Sequence, residues 1–185
     1  MSHNQIAVIV GSLRRDSFNQ KLAQAMTKLA PDDFSFVFLN IGELPLYNQD
    51  DDDTPEASVQ QFKTSIAAAN GLLFFTPEYN RSIPGVLKNA LDQASRPYGK
   101  SAWAGKPAGL IGVSIGATGT SMAQQHLRNI LAYLDVPTMC QPEGFIQEKD
   151  GLFDSDGQIG AHSKVFLQQW MTNYALWIKR HNAIN

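Results

Sequence analysis

Ile6-Ala7-Val8-Ile9-Val10-Gly11-Ser12-Leu13-Arg14-Arg15-Asp16-Ser17-Phe18-Asn19 is the stretch that decides the fold. Ile6 to Val10 is a continuous apolar run rich in β-branched residues, the pattern of a strand buried on both faces. Gly11 lets the chain turn sharply out of that strand. From Ser17 to Leu29, Phe18, Leu22, Ala25, Met26 and Leu29 recur at the spacing of one helix face. A doubly buried strand passing directly into an amphipathic helix is the unit of a parallel sheet covered by helices.

The same unit recurs along the chain. Phe34–Leu39, Leu72–Phe75 and Ala108–Val113 read as further strands, and Val136–Cys140 as the start of a fifth. Between them, Glu56–Ala69 turns Val59, Phe62, Ile66 and Ala69 inward, and Val86–Ala94 forms a shorter helix. Ser121–Leu134 places Leu127, Ile130, Leu131 and Leu134 on one side. Val165–Ile178 is the last helix and carries Phe166, Trp170, Tyr174 and Trp177. Strand then helix, five times, predicts one α/β domain over residues 1–185. The sheet is doubly wound, parallel and five-stranded, in the order 2-1-3-4-5, with helices on both faces. Such a sheet opens a crevice at the carboxyl ends of strands 1 and 3.

Composition excludes several classes. The 185 residues are 43% hydrophobic with a net charge of −2, enough apolar material for a sizeable core. That balance disfavours nucleic-acid binding, which needs a basic face, and polybasic membrane attachment. No apolar stretch approaches the ~20 residues of a membrane helix. The single cysteine, Cys140, excludes an internal disulfide. With the polar start at Met1 to Gln5, it leads to an expected cytoplasmic location. His3, His126, His162 and His181 stand in no ligand spacing, so no metal is expected. Asp50 to Asp53 reads as a solvated loop before the second helix.

Three loops at the strand ends carry the chemistry. In the first, the amides at the start of the helix point outward with the positive end of the dipole behind them. Ser12, Ser17 and Asn19 add polar groups and Arg14 a planar cation, together a cup for a terminal phosphate. The plainer reading of this loop is a strand–helix turn with Ser17 as N-cap. GxGxxG and GxxxxGK[ST] are both missing, so neither a dinucleotide pyrophosphate nor a nucleoside triphosphate is the natural guest. Pro77-Glu78-Tyr79-Asn80-Arg81-Ser82-Ile83-Pro84-Gly85 follows the third strand. Tyr79 can cover a flat ring there, Glu78 and Asn80 can meet its edge, and Pro77 and Pro84 stiffen the segment. The loop after the fourth strand brings Ser114, Gly116 and small hydroxyl residues close to a ligand. Its plainer reading is capping by Thr120 or Ser121.

At these residues the sequence resembles the NAD(P)H-dependent FMN reductases of the flavodoxin-like superfamily, in particular the bacterial quinone and chromate reductases. The anchors are Gly11-Ser12-Leu13-Arg14 with Ser17-Phe18-Asn19, Pro77-Glu78-Tyr79-Asn80, and Pro84-Gly85 with Leu87-Lys88-Asn89-Ala90 and Asp92. Ala104-Gly105-Lys106-Pro107 and His126-Leu127-Arg128 also match. The chain departs from the family at Gly119-Thr120, where paired glycines are frequent, and at Gln93, where a large residue is frequent. The resemblance implies FMN as cofactor and NADPH or NADH as co-substrate. Gly11, Ser12, Leu13, Arg14, Ser17, Phe18 and Asn19 would form the phosphate loop. Pro77, Glu78, Tyr79 and Asn80 would contact the isoalloxazine, and Ser114 and Gly116 would border it.

The resemblance further implies an oxidoreductase passing electrons from NAD(P)H to quinones in a ping-pong cycle, with side activity on chromate. No catalytic side chain is expected, because the flavin carries the chemistry. Three other outcomes remain open at this level: a flavodoxin-type electron carrier, an FMN-binding protein without turnover, and a reductase that supplies reduced FMN to a monooxygenase. Arg81 is the candidate for holding NAD(P)H phosphates or an anionic acceptor at the rim. A homodimer or homotetramer is expected. Trp103, Tyr98 and the His126–Tyr133 helix are the candidate contact surface, completing the flavin site.

Overall fold

The computed structural model describes residues 3–183. Met1, Ser2 and the last two residues of the expected 1–185 domain lie outside the described residues. Strands β1 (Asn4–Val10), β2 (Phe34–Leu39), β3 (Gly71–Phe75), β4 (Ala108–Ser114) and β5 (Gly144–Gln147) alternate with five α-helices. The helices are α1 (Phe18–Thr27), α2 (Ala57–Ala68), α3 (Gly85–Ser95), α4 (Ser121–Tyr133) and α5 (Ala161–Asn182). All pairings are parallel and the sheet order is β2-β1-β3-β4-β5, as the sequence pattern predicts.

Strand alternation divides the core into two layers. Ile6, Val8, Leu73, Phe75, Ile111 and Val113 point to the side covered by α1 and α5. Ala7, Ile9, Leu72, Phe74 and Leu110 point to the side covered by α2, α3 and α4. Each fully buried Leu, Ile or Phe here contributes about 1.5–3 kcal/mol of transfer free energy. That is why the strands are apolar at consecutive positions. At the edge of this second layer, Lys106 donates through Nζ to the carbonyls of Ala67 (2.9 Å) and Ala69 (2.7 Å) at the end of α2. Its partial burial holds the ammonium pKa below the ordinary lysine value. In the first layer Tyr174 is fully buried, which raises its pKa, and its hydroxyl donates to the Leu72 carbonyl at 3.0 Å.

Two elements differ from the sequence reading. The fifth strand is not Val136–Cys140 but Gly144–Gln147. The earlier segment does run beside the start of β4, with Ala108 N–H donating to the Pro137 carbonyl and Met139 N–H to the Ala108 carbonyl. Arg128 holds it there by donating to the Met139 carbonyl (3.0 Å) and Thr138 Oγ1 (3.2 Å). Pro137 and Pro142 remove ladder donors on either side, so regular pairing resumes only at Gly144, opposite Ile111. Helix α5 is longer than Val165–Ile178, and its buried face is Leu167, Trp170, Met171, Tyr174, Ala175 and Ile178. Phe166 lies on the exposed side and Trp177 is only partly covered. Of the four aromatic residues on this helix, Trp170 and Tyr174 are fully buried.

Candidate functional site

Because β1, β3 and β4 are neighbours, the loops after them meet at one edge of the sheet. Gly11 donates its N–H to the Phe75 carbonyl at 2.8 Å. A Cβ at Gly11 would lie 3.1 Å from Leu87 Cδ2 and 3.5 Å from Pro77 Cδ, so the first loop passes tightly against the second. Gly112 is tighter still. A Cβ there would overlap Thr120 Oγ1 and the Thr76 carbonyl. Only glycine lets the third loop fold back onto the end of β3.

In the first loop, Ser17 caps α1 by accepting from Gln20 N–H at 3.2 Å. The amides of Phe18 and Asn19 lie at the helix start, where no intrahelical carbonyl reaches them. Ser12 Oγ accepts weakly from Arg14 N–H at 3.4 Å. The Arg14 guanidinium is exposed, with its carbon 5.5 Å from the centroid of the Phe18 ring. Leu13 is 61% exposed. Helix amides, two hydroxyls and a free guanidinium are the donor set a phosphate dianion takes, so these residues fit the phosphate end of FMN.

Asn19 departs from the sequence expectation that its side chain faces a phosphate. It is buried, its Nδ2 donates to the Val113 carbonyl at 2.9 Å, and its Oδ1 accepts from Val113 N–H at 3.0 Å. The side chain clasps α1 to β4, and only the Asn19 amide remains on the loop side. Phe18 likewise packs partly into the core.

The second loop contains a tight hairpin. Tyr79 and Ser82 exchange backbone hydrogen bonds at 2.9 and 3.0 Å, with Asn80 (φ 52°) and Arg81 (φ 66°) left-handed between them. That is the conformation of a two-residue primed turn. Tyr79 is 52% exposed, free to cover a ring. The Glu78 side chain reaches α4. Its Oε2 accepts from the backbone N–H groups of Met122 (3.0 Å) and Ala123 (3.1 Å) at the start of α4. Thr120 and Ser121 therefore do not cap α4, and Thr120 makes no side-chain cap. Arg81 Nη1 lies 3.0 Å from Met122 Sδ. In the third loop Ser114 Oγ donates to the Gly116 carbonyl at 3.1 Å, and the Cα of Gly116 faces open space apart from Ser114 Oγ.

The sequence reading missed the partners on α4 and the strap between β2 and α2. Asn89 fixes that strap by accepting from Tyr47 N–H and donating to the Pro45 carbonyl, both at 2.8 Å. Gln93 also donates to the Pro45 carbonyl, at 2.9 Å. No spacing rule reveals such contacts, because their partners lie more than 40 positions away in sequence. The surface assigned to subunit contact changes as well. Trp103 is fully buried, its Nε1 donating to the Leu91 carbonyl at 3.0 Å, and is core. Tyr98 (84% exposed) follows the end of α3 and Tyr133 (82% exposed) is the last residue of α4. They line a groove at the edge of the sheet opposite the loops, whereas the other end of the His126–Tyr133 segment lies beside the loops, His126 being hydrogen-bonded to Ser82.

Residues 4–150 match the family model for NADPH-dependent FMN reductase. The chain belongs to that family. It is 56% identical over 177 residues to a 2-hydroxy-1,4-benzoquinone reductase of Burkholderia sp, covering 95% of this chain and 96% of that protein. A quinone reductase of Pseudomonas putida is 43% identical over 180 residues, 97% of each chain. Among solved structures, the flavoenzyme NAD(P)H:(acceptor) oxidoreductase FerB of Paracoccus denitrificans superposes with a TM-score of 0.92. It is 42% identical, covering 96% of this chain and 98% of its own. The sequence resemblance and the flavodoxin-like doubly wound fold are thereby established, as is the assignment to NAD(P)H-dependent flavin oxidoreductases. No helix of the described residues is long and apolar enough to cross a membrane.

Proposed function

We propose that this family member is an FMN-dependent quinone reductase drawing electrons from NADPH or NADH, with side activity on chromate. The observation that carries the reading is the donor set at the start of α1, facing the Pro77–Asn80 segment across the switch point of the sheet. When bound, the flavin supplies two-electron chemistry between a nicotinamide and a quinone. The protein's part is binding, orientation and access. Gly11, Ser12, Leu13, Arg14 and Ser17, with the amides of Phe18 and Asn19, hold the phosphate. Pro77, Glu78, Tyr79 and Asn80 wall the ring, the exposed Tyr79 covering one face. Ser114 and Gly116 border the opposite side. Arg81 stands beside this wall, where a cation attracts the phosphates of NAD(P)H or an anionic acceptor.

The reading takes residues 1–185 as one FMN-binding domain, in the cytoplasm, acting as a homodimer or homotetramer on small molecules rather than on nucleic acid or membranes. With Trp103 in the core, the supporting surface for assembly is the loop edge itself. There Leu13, Tyr79, Ile115 and Met122 are 61%, 52%, 74% and 37% exposed. The test is the visible spectrum of the purified protein after addition of FMN, followed by steady-state NADPH oxidation with a benzoquinone. Flavin bands with quinone-dependent turnover are expected. Bound flavin without turnover would instead identify an electron carrier, and absent flavin bands would remove the reading altogether.

A further inference from the structure

Helix α4 begins without a cap of its own. Thr120 is left-handed (φ 69°), and its hydroxyl accepts from Gln124 Nε2 at 3.0 Å inside the protein instead of from the first-turn amides. Those amides are satisfied from another loop, by Glu78 Oε2. A carboxylate at that point also meets the positive end of the helix dipole. Two further contacts lie alongside. Ser82 Oγ is hydrogen-bonded to His126 Nδ1 at 2.7 Å, and Arg81 Nη1 approaches Met122 Sδ at 3.0 Å. The hairpin thus meets the first turns of α4 at three points, and it carries two consecutive non-glycine residues in the left-handed region. Such residues are costly and persist where the surroundings hold them. Here the surroundings are α4.

We propose that Glu78 is a positioning residue for the flavin ring. Its carboxylate fixes the Pro77–Asn80 segment to the N-terminus of α4, with the Ser82–His126 hydrogen bond as a second fastening. The ring-facing wall is then set by a helix rather than by the loop alone. This rests on the FMN reading above. The side chain itself acts at a distance, because its oxygen is engaged by Met122 and Ala123.

FMN and riboflavin share the ring and differ in the phosphate, so titrating apo-protein with both separates the two ends of the site. Glu78→Ala is expected to weaken FMN and riboflavin by the same factor, roughly tenfold, as the loss of charge-assisted hydrogen bonds to the wall predicts. It is also expected to alter the visible circular dichroism of the bound flavin. Glu78→Gln keeps an oxygen that accepts from both amides and is expected to lose less. Ser82→Ala is expected to show the same parallel weakening on a smaller scale. It carries the test with Glu78→Gln should Glu78→Ala fail to fold. Lowered thermal stability with wild-type affinities and an unchanged flavin dichroism would make Glu78 a helix cap only and overturn the proposal. So would a loss confined to FMN. A wild-type apo-protein that binds neither flavin overturns the functional reading, and this inference with it.

Discussion

Arg14→Ala isolates the phosphate end of the site. The Arg14 guanidinium is exposed, and its described side-chain contact is the Phe18 ring, 5.5 Å from its carbon. Its removal therefore leaves the core intact, and the apo-protein should unfold within about 0.5 kcal/mol of wild type, as surface substitutions do. A hydrogen bond to a charged group contributes about 1.5–3 kcal/mol, and solvent at this exposed position places the loss near the lower figure. About 1.5 kcal/mol corresponds to a roughly tenfold weaker FMN complex. Riboflavin has no phosphate, so its affinity should stay unchanged. The FMN deficit should shrink as salt rises, because exposed charges are screened over about 10 Å at 0.1 M. Fluorescence titration of apo-protein at two ionic strengths reads all three quantities. Equal FMN affinity in variant and wild type would remove Arg14 from the site, and an equal loss for riboflavin would place it at the ring.

Asn19→Ala leaves the buried N–H and carbonyl of Val113 without their partner. At about 1–3 kcal/mol per unsatisfied group, urea unfolding should report a loss of at least about 2 kcal/mol, and a loss below about 1 kcal/mol would contradict the clasp. Trp103→Ala should cost about 3–5 kcal/mol as a core truncation while light scattering gives an unchanged oligomer; dissociation without destabilisation would return Trp103 to an interface. Arg81→Ala should raise the KM for the nicotinamide about tenfold at low salt, with FMN retained, as loss of one charged contact requires. Unchanged kcat/KM for both NADPH and chromate would leave Arg81 as surface only.

The sheet was legible because β1, β3 and β4 carry runs of consecutive apolar residues and each helix repeats its apolar residues at helical spacing. Both signals are local. The misplaced fifth strand shows where locality ends. Val136–Cys140 has strand-like composition and does lie beside β4, but Pro137 and Pro142 shift regular pairing to Gly144–Gln147, a segment containing a polar Gln147 and only two apolar side chains. At the site, residue types and loop positions were readable while side-chain directions were not. Asn19 and Glu78 were both chosen as polar groups near a ligand. Their partners, Val113 and the Met122–Ala123 amides, are 94 and more than 40 residues away, brought close only by the sheet order. The same holds for Lys106 of the family-like segment Ala104–Pro107, which ties down the end of α2, whereas Arg128 of His126–Arg128 holds the approach to β5 through partners 10 and 11 residues on.

These ties also bear on how the flavin is held. The proposed phosphate loop is joined through Asn19 to β4, the proposed ring-facing hairpin through Glu78 to α4, and α4 follows directly from the β4 loop. Both ends of the site thus share one frame, the β4–α4 unit, instead of hanging on three independent loops. A site fixed before its ligand arrives loses little conformational freedom on binding, so more of the contact free energy appears as affinity. A protein that releases reduced FMN to a partner would gain nothing from such rigidity, whereas an enzyme that keeps its flavin through two successive substrates requires it. The frame therefore favours FMN as a resident cofactor. Flavin that remains at stoichiometric level through gel filtration would agree, and flavin lost at the first column in wild type would count against it.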